Sequence, residues 1–308
     1  MLKIQTDFWY IEQLRYSHAS QNLVAIGTKR TGTDNRPKMA KAFDPRASSP
    51  EPDRWFEFPP TALIAFDPTG QHGAVAKRLW NDDYIYFVQF EGREPTFGSR
   101  SISVASRELV AIAISADGKK LAGLVDARPD SATWHGIRIW STLMEKALQE
   151  IQINFRAEQL IYSANGRHIG VCREDGKNLK LLRPSTGKVT SLAVADAFRI
   201  VFSPSGRYLA SGGQFIRCWT TSFGKMISRF RGQDEDIPDL AFSPDERFLA
   251  IARTDGPVEF WDFREPRLVR SHCWDIGRLS AIAIAPDGLT CAVAGENGQI
   301  VIWDLDDL

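Results

Sequence analysis

The sequence predicts an all-β fold: a seven-bladed β-propeller of four-stranded antiparallel blades, its ring closed by the N-terminal strand. Three observations carry this. One turn signature recurs seven times. Apolar runs rich in Ala and Gly flank each turn. A third apolar run, ending in a large aromatic, follows in several repeats.

The turn signature is clearest at Phe202-Ser203-Pro204-Ser205-Gly206, Phe242-Ser243-Pro244-Asp245-Glu246 and Ile284-Ala285-Pro286-Asp287-Gly288. Looser copies begin at Phe66, Ile114 and Tyr162, and the most worn begins at Tyr16. The steps between copies are 50, 48, 48, 40, 40 and 42 residues. A period of this size marks a repeat array and overrides the two-domain expectation that 308 residues would raise. Residues 1–308 are accordingly read as a single propeller domain.

Each turn leads into a short apolar run, such as Leu249-Ala250-Ile251-Ala252 or Cys291-Ala292-Val293-Ala294. Near-continuous apolar strands have both faces covered. Antiparallel strands joined by tight turns and stacked radially make a propeller. A second hairpin turn follows at Asp175-Gly176, Asp255-Gly256 and Asn297-Gly298, residue pairs that accept the positive φ of two-residue hairpins. The third strand then ends in Trp140, Trp219, Trp261 or Trp303, with Leu182 in the fourth repeat. Trp219, Trp261 and Trp303 are expected to be buried between blades.

With Trp261-Asp262 and Trp303-Asp304 in register, the chain resembles the WD40 repeat family along its whole length, most closely in the last three repeats. Asp255 stands where that family places its structural turn aspartate, and Asn297 holds the equivalent place. The resemblance implies a protein-binding scaffold. One departure stands out: no Gly-His dipeptide occurs, so the family's buried His–Asp network cannot form in its usual way. His272 is the nearest substitute, about three residues early. Apolar packing between blades is expected to hold the fold instead. The segment Leu2–Trp9 precedes the first repeat and is expected to supply the outer strand that the seventh blade lacks, removing exposed sheet edges.

Composition narrows the function classes. Thirty-eight basic residues balance 38 acidic ones, so no global field draws the chain to nucleic acid or anionic lipid. Apolar runs are strand-sized and the N-terminus lacks a signal-peptide pattern, so a monomeric cytoplasmic protein without a membrane partner is expected. Cys172, Cys218, Cys273 and Cys291 show no short paired spacing, which argues against zinc. The chain has no phosphate-binding glycine loop, Gly-x-Ser-x-Gly elbow or His-Glu-x-x-His motif. Its five histidines are scattered. No catalytic residue, metal or cofactor is assigned.

Candidate binding residues come from aligning the second strands. Arg78, Arg173 and Arg253 fall at one position in alternate blades, on the face that in the resembled family usually meets partners. Three guanidinium groups suit an acidic peptide, a carboxylate or a phosphate. Pairing with nearby Asp82, Glu174 and Asp255 is the competing explanation. Trp80 and Trp134 lie close by in sequence, and an exposed Trp beside Arg has the composition of an interface hot spot. Two insertions, residues 29–60 and 126–136, interrupt the period; the first contains a Pro/Ser-rich stretch at 45–52. A partner-binding scaffold is the leading function. A propeller enzyme with a central pocket and an anion-binding arginine layer are the alternatives.

Overall fold

A computed structural model of the chain describes residues 1–17, 21–30, 37–46, 55–79, 82–89, 96–104, 108–126, 135–144, 147–153, 155, 157–173, 176–194, 196–231 and 237–305. The strands form seven four-stranded antiparallel sheets, the blades of an all-β seven-bladed propeller. The first blade holds β2 (Phe8–Tyr16), β3 (Leu23–Lys29), β4 (Lys38–Phe43) and β5 (Trp55–Phe58). The second holds β6 (Leu63–Phe66), β7 (His72–Leu79), β8 (Asp82–Gln89) and β9 (Thr96–Val104). The third is β10 (Glu108–Ile114), β11 (Lys120–Asp126), β12 (His135–Ser141) and β13 (Ala147–Ile153). The fourth is β14 (Gln159–Tyr162), β15 (Ile169–Cys172), β16 (Leu179–Arg183) and β17 (Lys188–Leu192). The fifth is β18 (Arg199–Phe202), β19 (Tyr208–Gly212), β20 (Phe215–Thr220) and β21 (Lys225–Arg231). The sixth is β22 (Asp239–Phe242), β23 (Phe248–Ala252), β24 (Val258–Asp262) and β25 (Arg267–His272). In the seventh, β26 (Ala281–Ile284), β27 (Thr290–Ala294) and β28 (Gln299–Asp304) are joined by β1 (Leu2–Gln5).

The pairing of β1 with β28 is the one expected from the sequence. Leu2 faces Ile302, Lys3 faces Val301, Ile4 faces Ile300 and Gln5 faces Gln299. Beyond the strand, the Thr6 hydroxyl donates to the Gly298 carbonyl at 2.7 Å, extending the attachment by one residue.

The recurring turn has a local cause. Its serine accepts a hydrogen bond from an N–H at or just before the start of the following strand: Lys120 to Ser115 (3.0 Å), His168 to Ser163 (2.9 Å), Tyr208 to Ser203 (3.1 Å) and Phe248 to Ser243 (2.9 Å). In the second blade Asp67 takes this role, accepting from the Gln71 N–H at 2.9 Å while its other oxygen meets His72 Nδ1 at 2.9 Å. Two or three residues before the strand the chain turns through positive φ, which glycine adopts without penalty; Gly206 has φ 70°, and Gln21 and Glu246, the described exceptions, both have 57°. Among the later hairpin turns, Asn297 (φ 58°) and Gly298 (φ 72°) both take the left-handed conformation expected of an Asn-Gly pair.

By contacts the described residues fall into two compact units. One comprises Met1–Pro60, Ala210–Trp219 and Met226–Leu308; the other comprises Thr61–Leu209 and Thr220–Lys225. Within the first, side chains of the seventh blade meet the first blade around Phe8, Leu14, Ala283 and Ile302, and meet the sixth around Phe260, Ile282 and Trp303. Within the second, the second and third blades pack through Ile85, Leu121 and Trp140, and the third and fourth through Ile137, Val171 and Leu182. Trp219 and Trp303 are buried as expected, whereas Trp261 is half-buried. The long first repeat contains two strands, β4 and β5, so only part of residues 29–60 is insertion. Most of the Pro/Ser-rich stretch, and residues 127–134 with Trp134, lie outside the described residues. Among the described residues no helix is long and apolar enough to cross a membrane.

Candidate interaction site

Strand register places the candidate arginines. The first pair of each hairpin matches Phe66 with Gly73, Tyr162 with Ile169, Phe242 with Leu249 and Ile284 with Cys291. Counting from these pairs, Arg173 and Arg253 hold equivalent positions. In the second blade that position belongs to Lys77, and Arg78 lies one residue beyond it, opposite Asp83. In the seventh it belongs to Gly295. The side chains of Arg78, Trp80 and Trp134 fall outside the described residues.

The two equivalent arginines have different surroundings. Arg173 is exposed, at the corner of a hairpin turn closed by its own N–H to the Asn178 carbonyl (3.1 Å). The Ala197 N–H donates to the Gly176 carbonyl of that turn at 2.9 Å, which fixes the neighbouring Phe198 beside it. Phe198 is half exposed, and its carbonyl accepts from the Gln159 amide at 2.9 Å. Arg199 follows, also exposed. An exposed aromatic beside exposed guanidinium groups is the arrangement sought at Trp80 and Trp134. The sequence signal was present in the Phe198-Arg199 pair, but it reads as the start of an apolar strand.

Arg253 is enclosed. The residue is 0 % exposed and its Nη2 donates to Glu259 Oε2 at 2.6 Å; Glu259 is 2 % exposed. The same carboxylate oxygen accepts from Trp261 Nε1 at 2.8 Å. Nε and Nη1 of Arg253 are buried without acceptors. The reason is topological: Glu259 follows Arg253 across a hairpin and sits mid-strand opposite Ile251. Arg253 is therefore corrected from a surface residue to part of an interior Arg–Glu–Trp trio, and in this arrangement it is not offered to an anion or a peptide. Its expected partner, Asp255, instead meets Arg278 at 3.1 Å.

Chemically competent groups are muted. Burial pushes the Cys172 thiol up to about 12, and likewise Cys218 to about 12, so neither is a thiolate at neutral pH. Burial holds Cys291 well above the ordinary thiol value as well. His168 is held below the ordinary histidine value by burial and by Arg183 and Arg167, and neither ring nitrogen has a partner. Among the described residues no group of three or more His, Cys, Asp or Glu side chains is placed to hold a metal ion. A pocket of about 500 Å³ lies against β1, β2 and β28, lined by Tyr16, Arg46, Asp287, Thr290 and Trp303 among others.

Comparison with known proteins agrees with this architecture. The family described as WD domain, G-beta repeat matches residues 176–220, 224–262 and 267–304. The chain is 32 % identical over 73 residues to small ribosomal subunit protein RACK1 of Caenorhabditis elegans, covering 23 % of this chain and 22 % of that one. It is 29 % identical over 116 residues to transcription initiation factor TFIID subunit 5 of the same organism, covering 37 % and 18 %. It is 27 % identical over 112 residues to target of rapamycin complex subunit wat1 of Schizosaccharomyces pombe, covering 35 % and 35 %. Each match spans about a third or less of the relative's own length. With the seven four-stranded sheets, they show a WD40-type seven-bladed β-propeller fold.

Proposed function

We propose that this WD40-type seven-bladed propeller is a non-catalytic scaffold that binds a partner protein or peptide, residues 1–308 acting as one domain. Propellers of this type often mediate protein interactions, and two of the relatives are named as subunits of larger complexes. The observation that carries the reading is the surface at the Arg173 turn, where exposed Phe198 and Arg199 adjoin an exposed arginine. An aromatic supplies desolvated area and the guanidinium groups select a carboxylate-bearing segment. Arg78, Trp80 and Trp134 belong to the same proposal; Arg253 does not.

Affinity capture from native lysate tests it, followed by reconstitution with the purified captured protein. Phe198→Ala with Arg173→Ala is expected to weaken that complex by at least about tenfold, the usual weight of an interface anchor, with the melting temperature unchanged. The Arg173 contribution should fade as salt is added. A complex of unchanged affinity in the double variant would remove this surface from consideration.

A further inference from the structure

The opposite end of the blades has its own chemistry. In the third, fourth and fifth blades the described residues of the turn between the first and second strands and of the turn between the third and fourth lie at one end. Hydrogen bonds join them. Thr142 N–H and Oγ1 bond the carbonyls of Lys119 (3.0 Å) and Gly118 (2.7 Å), and Thr221 N–H and Oγ1 bond those of Arg207 (2.9 Å) and Gly206 (2.8 Å). Neighbouring blades are tied as well: Asn165 Nδ2 donates to the Ser205 carbonyl at 2.8 Å and Arg183 Nη2 to the Ser222 carbonyl at 3.4 Å. The turns of the fourth and fifth blades are thus braced together, and those of the third, whose core packs against the fourth, belong to the same end, all of it within the unit of Thr61–Leu209 and Thr220–Lys225.

That end is cationic. It carries Lys119, Arg167, Arg183, Lys188, Arg207 and Lys225, all exposed except the half-buried Arg183. Among the described residues of the same turns the exposed acid is Asp117. Burial alone would raise its pKa, but bonds from the Ser115 hydroxyl and the Lys119 N–H hold it below the usual carboxylate value. The balanced charge of the whole chain therefore conceals a local excess. Apolar side chains project from the same end: Phe223 is 86 % exposed and Met144 74 %, each at the tip of a third-to-fourth turn. They belong to the fifth and third blades, with the polar turn Ser185–Thr186 of the fourth between them.

We infer that this turn face docks on an anionic lipid surface, the basic side chains meeting headgroups while Phe223 and Met144 enter the acyl boundary. A peptide would need a groove, and these side chains protrude from separate blades. A bilayer is flat and fluid, so it receives separated apolar tips together. Anionic headgroups complement the cations, each Lys or Arg near the surface strengthening attachment. A nucleic acid would satisfy the charges, but the aliphatic Met144 offers no stacking face for a base. This face lies at the opposite end of the strands from Arg173, so it can act whether or not the partner-binding surface does.

Sedimentation with phosphatidylcholine vesicles, with and without phosphatidylglycerol, tests the inference on the full chain. Binding is expected only to the anionic vesicles. Arg167→Gln, Arg207→Gln and Lys225→Gln together should lower it on the order of a hundredfold. Phe223→Ser with Met144→Ser should lower it about tenfold without altering its salt dependence. Circular dichroism melts of both variants should match wild type, since these side chains are exposed. No binding to anionic vesicles, or binding that neither variant reduces, would overturn the inference. So would retention of a DNA oligonucleotide in place of vesicles, which would assign the face to nucleic acid.

Discussion

The sixth and seventh blades share a strand pattern and a third-strand tryptophan, yet they fill the space around that tryptophan with opposite chemistry. In the sixth, Trp261 stacks on Phe230 at 4.7 Å and gives its N–H to Glu259, which also holds Arg253. In the seventh, Trp303 meets Trp274 at 4.0 Å, with His272 and Phe260 at 6.1 and 6.5 Å, and its N–H is buried without an acceptor. Register shows the exchange: Arg253 corresponds to Gly295, and Glu259 to Val301. A side chain at Gly295 would collide with the Ile276 carbonyl, so the seventh blade has no room for an arginine there. The repeat fixes backbone pairing; the contents of each interface are free to differ so long as volume and charge are matched within it.

The fourth strand separates the two blades most sharply. In the sixth blade β25 follows β24 through a turn, whereas the seventh borrows β1 from the other end of the sequence. Deleting residues 1–5 should therefore strip the outer edge of β28 and leave the sixth blade's sheet complete. No point substitution should match its effect: aggregation on size exclusion and loss of the cooperative melt, because an unpaired edge invites pairing with other chains. A truncated chain that stays monomeric and melts within a few degrees of wild type would show that β1 is dispensable.

The charged trio gives the next effect. Glu259→Ala leaves the Arg253 guanidinium buried with no counter-charge, at an expected cost of about 3–5 kcal/mol. Arg253→Met with Glu259→Leu, which copies the apolar solution of the seventh blade, should recover most of that and lie within about 2 kcal/mol of wild type. Urea unfolding of Arg253→Met, Glu259→Leu and the double variant measures the coupling. Additive costs would mean that Arg253 and Glu259 do not depend on each other, and the contrast between the blades would then lie in packing alone.

Particular residues show how much of this was legible beforehand. Turn serines and glycines act over a few residues, so Ser243 or Gly206 announces its role in sequence. The β1–β28 pairing was also legible, since a strand without a blade and a blade without a strand imply one another. The Arg253–Glu259 pair was not, although a signal existed: a glutamate in the apolar run Val258-Glu259-Phe260-Trp261, six residues after an arginine, across a hairpin. Recognising it requires register, and register is where alignment by apolar runs slipped one residue at Arg78. Phe198 escaped for a related reason, because exposure of a strand-edge aromatic depends on the neighbouring turn, not on its own sequence.

The smallest effect concerns pH and belongs to the aromatic side of the comparison. His272 pairs with Val258 on β24, stacks on Trp274 at 5.5 Å and meets Phe260 edge-on at 6.2 Å. Burial, and then the Arg270 charge, hold it below the ordinary histidine value. The unfolded chain therefore takes up this proton first as pH falls. The contribution of neutral His272 is complete above the unfolded value of about 6.5 and is lost as pH drops through that value toward the folded one. The effect is small because the ring is only partly buried. His168 shifts in the same direction, so wild-type stability alone cannot assign it. The comparison that isolates His272 is the difference in melting temperature between wild type and His272→Phe, followed from neutral pH to about pH 5. Phenylalanine keeps an aromatic ring in the stack and cannot be protonated, so the difference should grow in favour of the variant as the pH falls. A difference that stays constant would mean that the aromatic interface of the seventh blade accepts a charged imidazole as readily as water does.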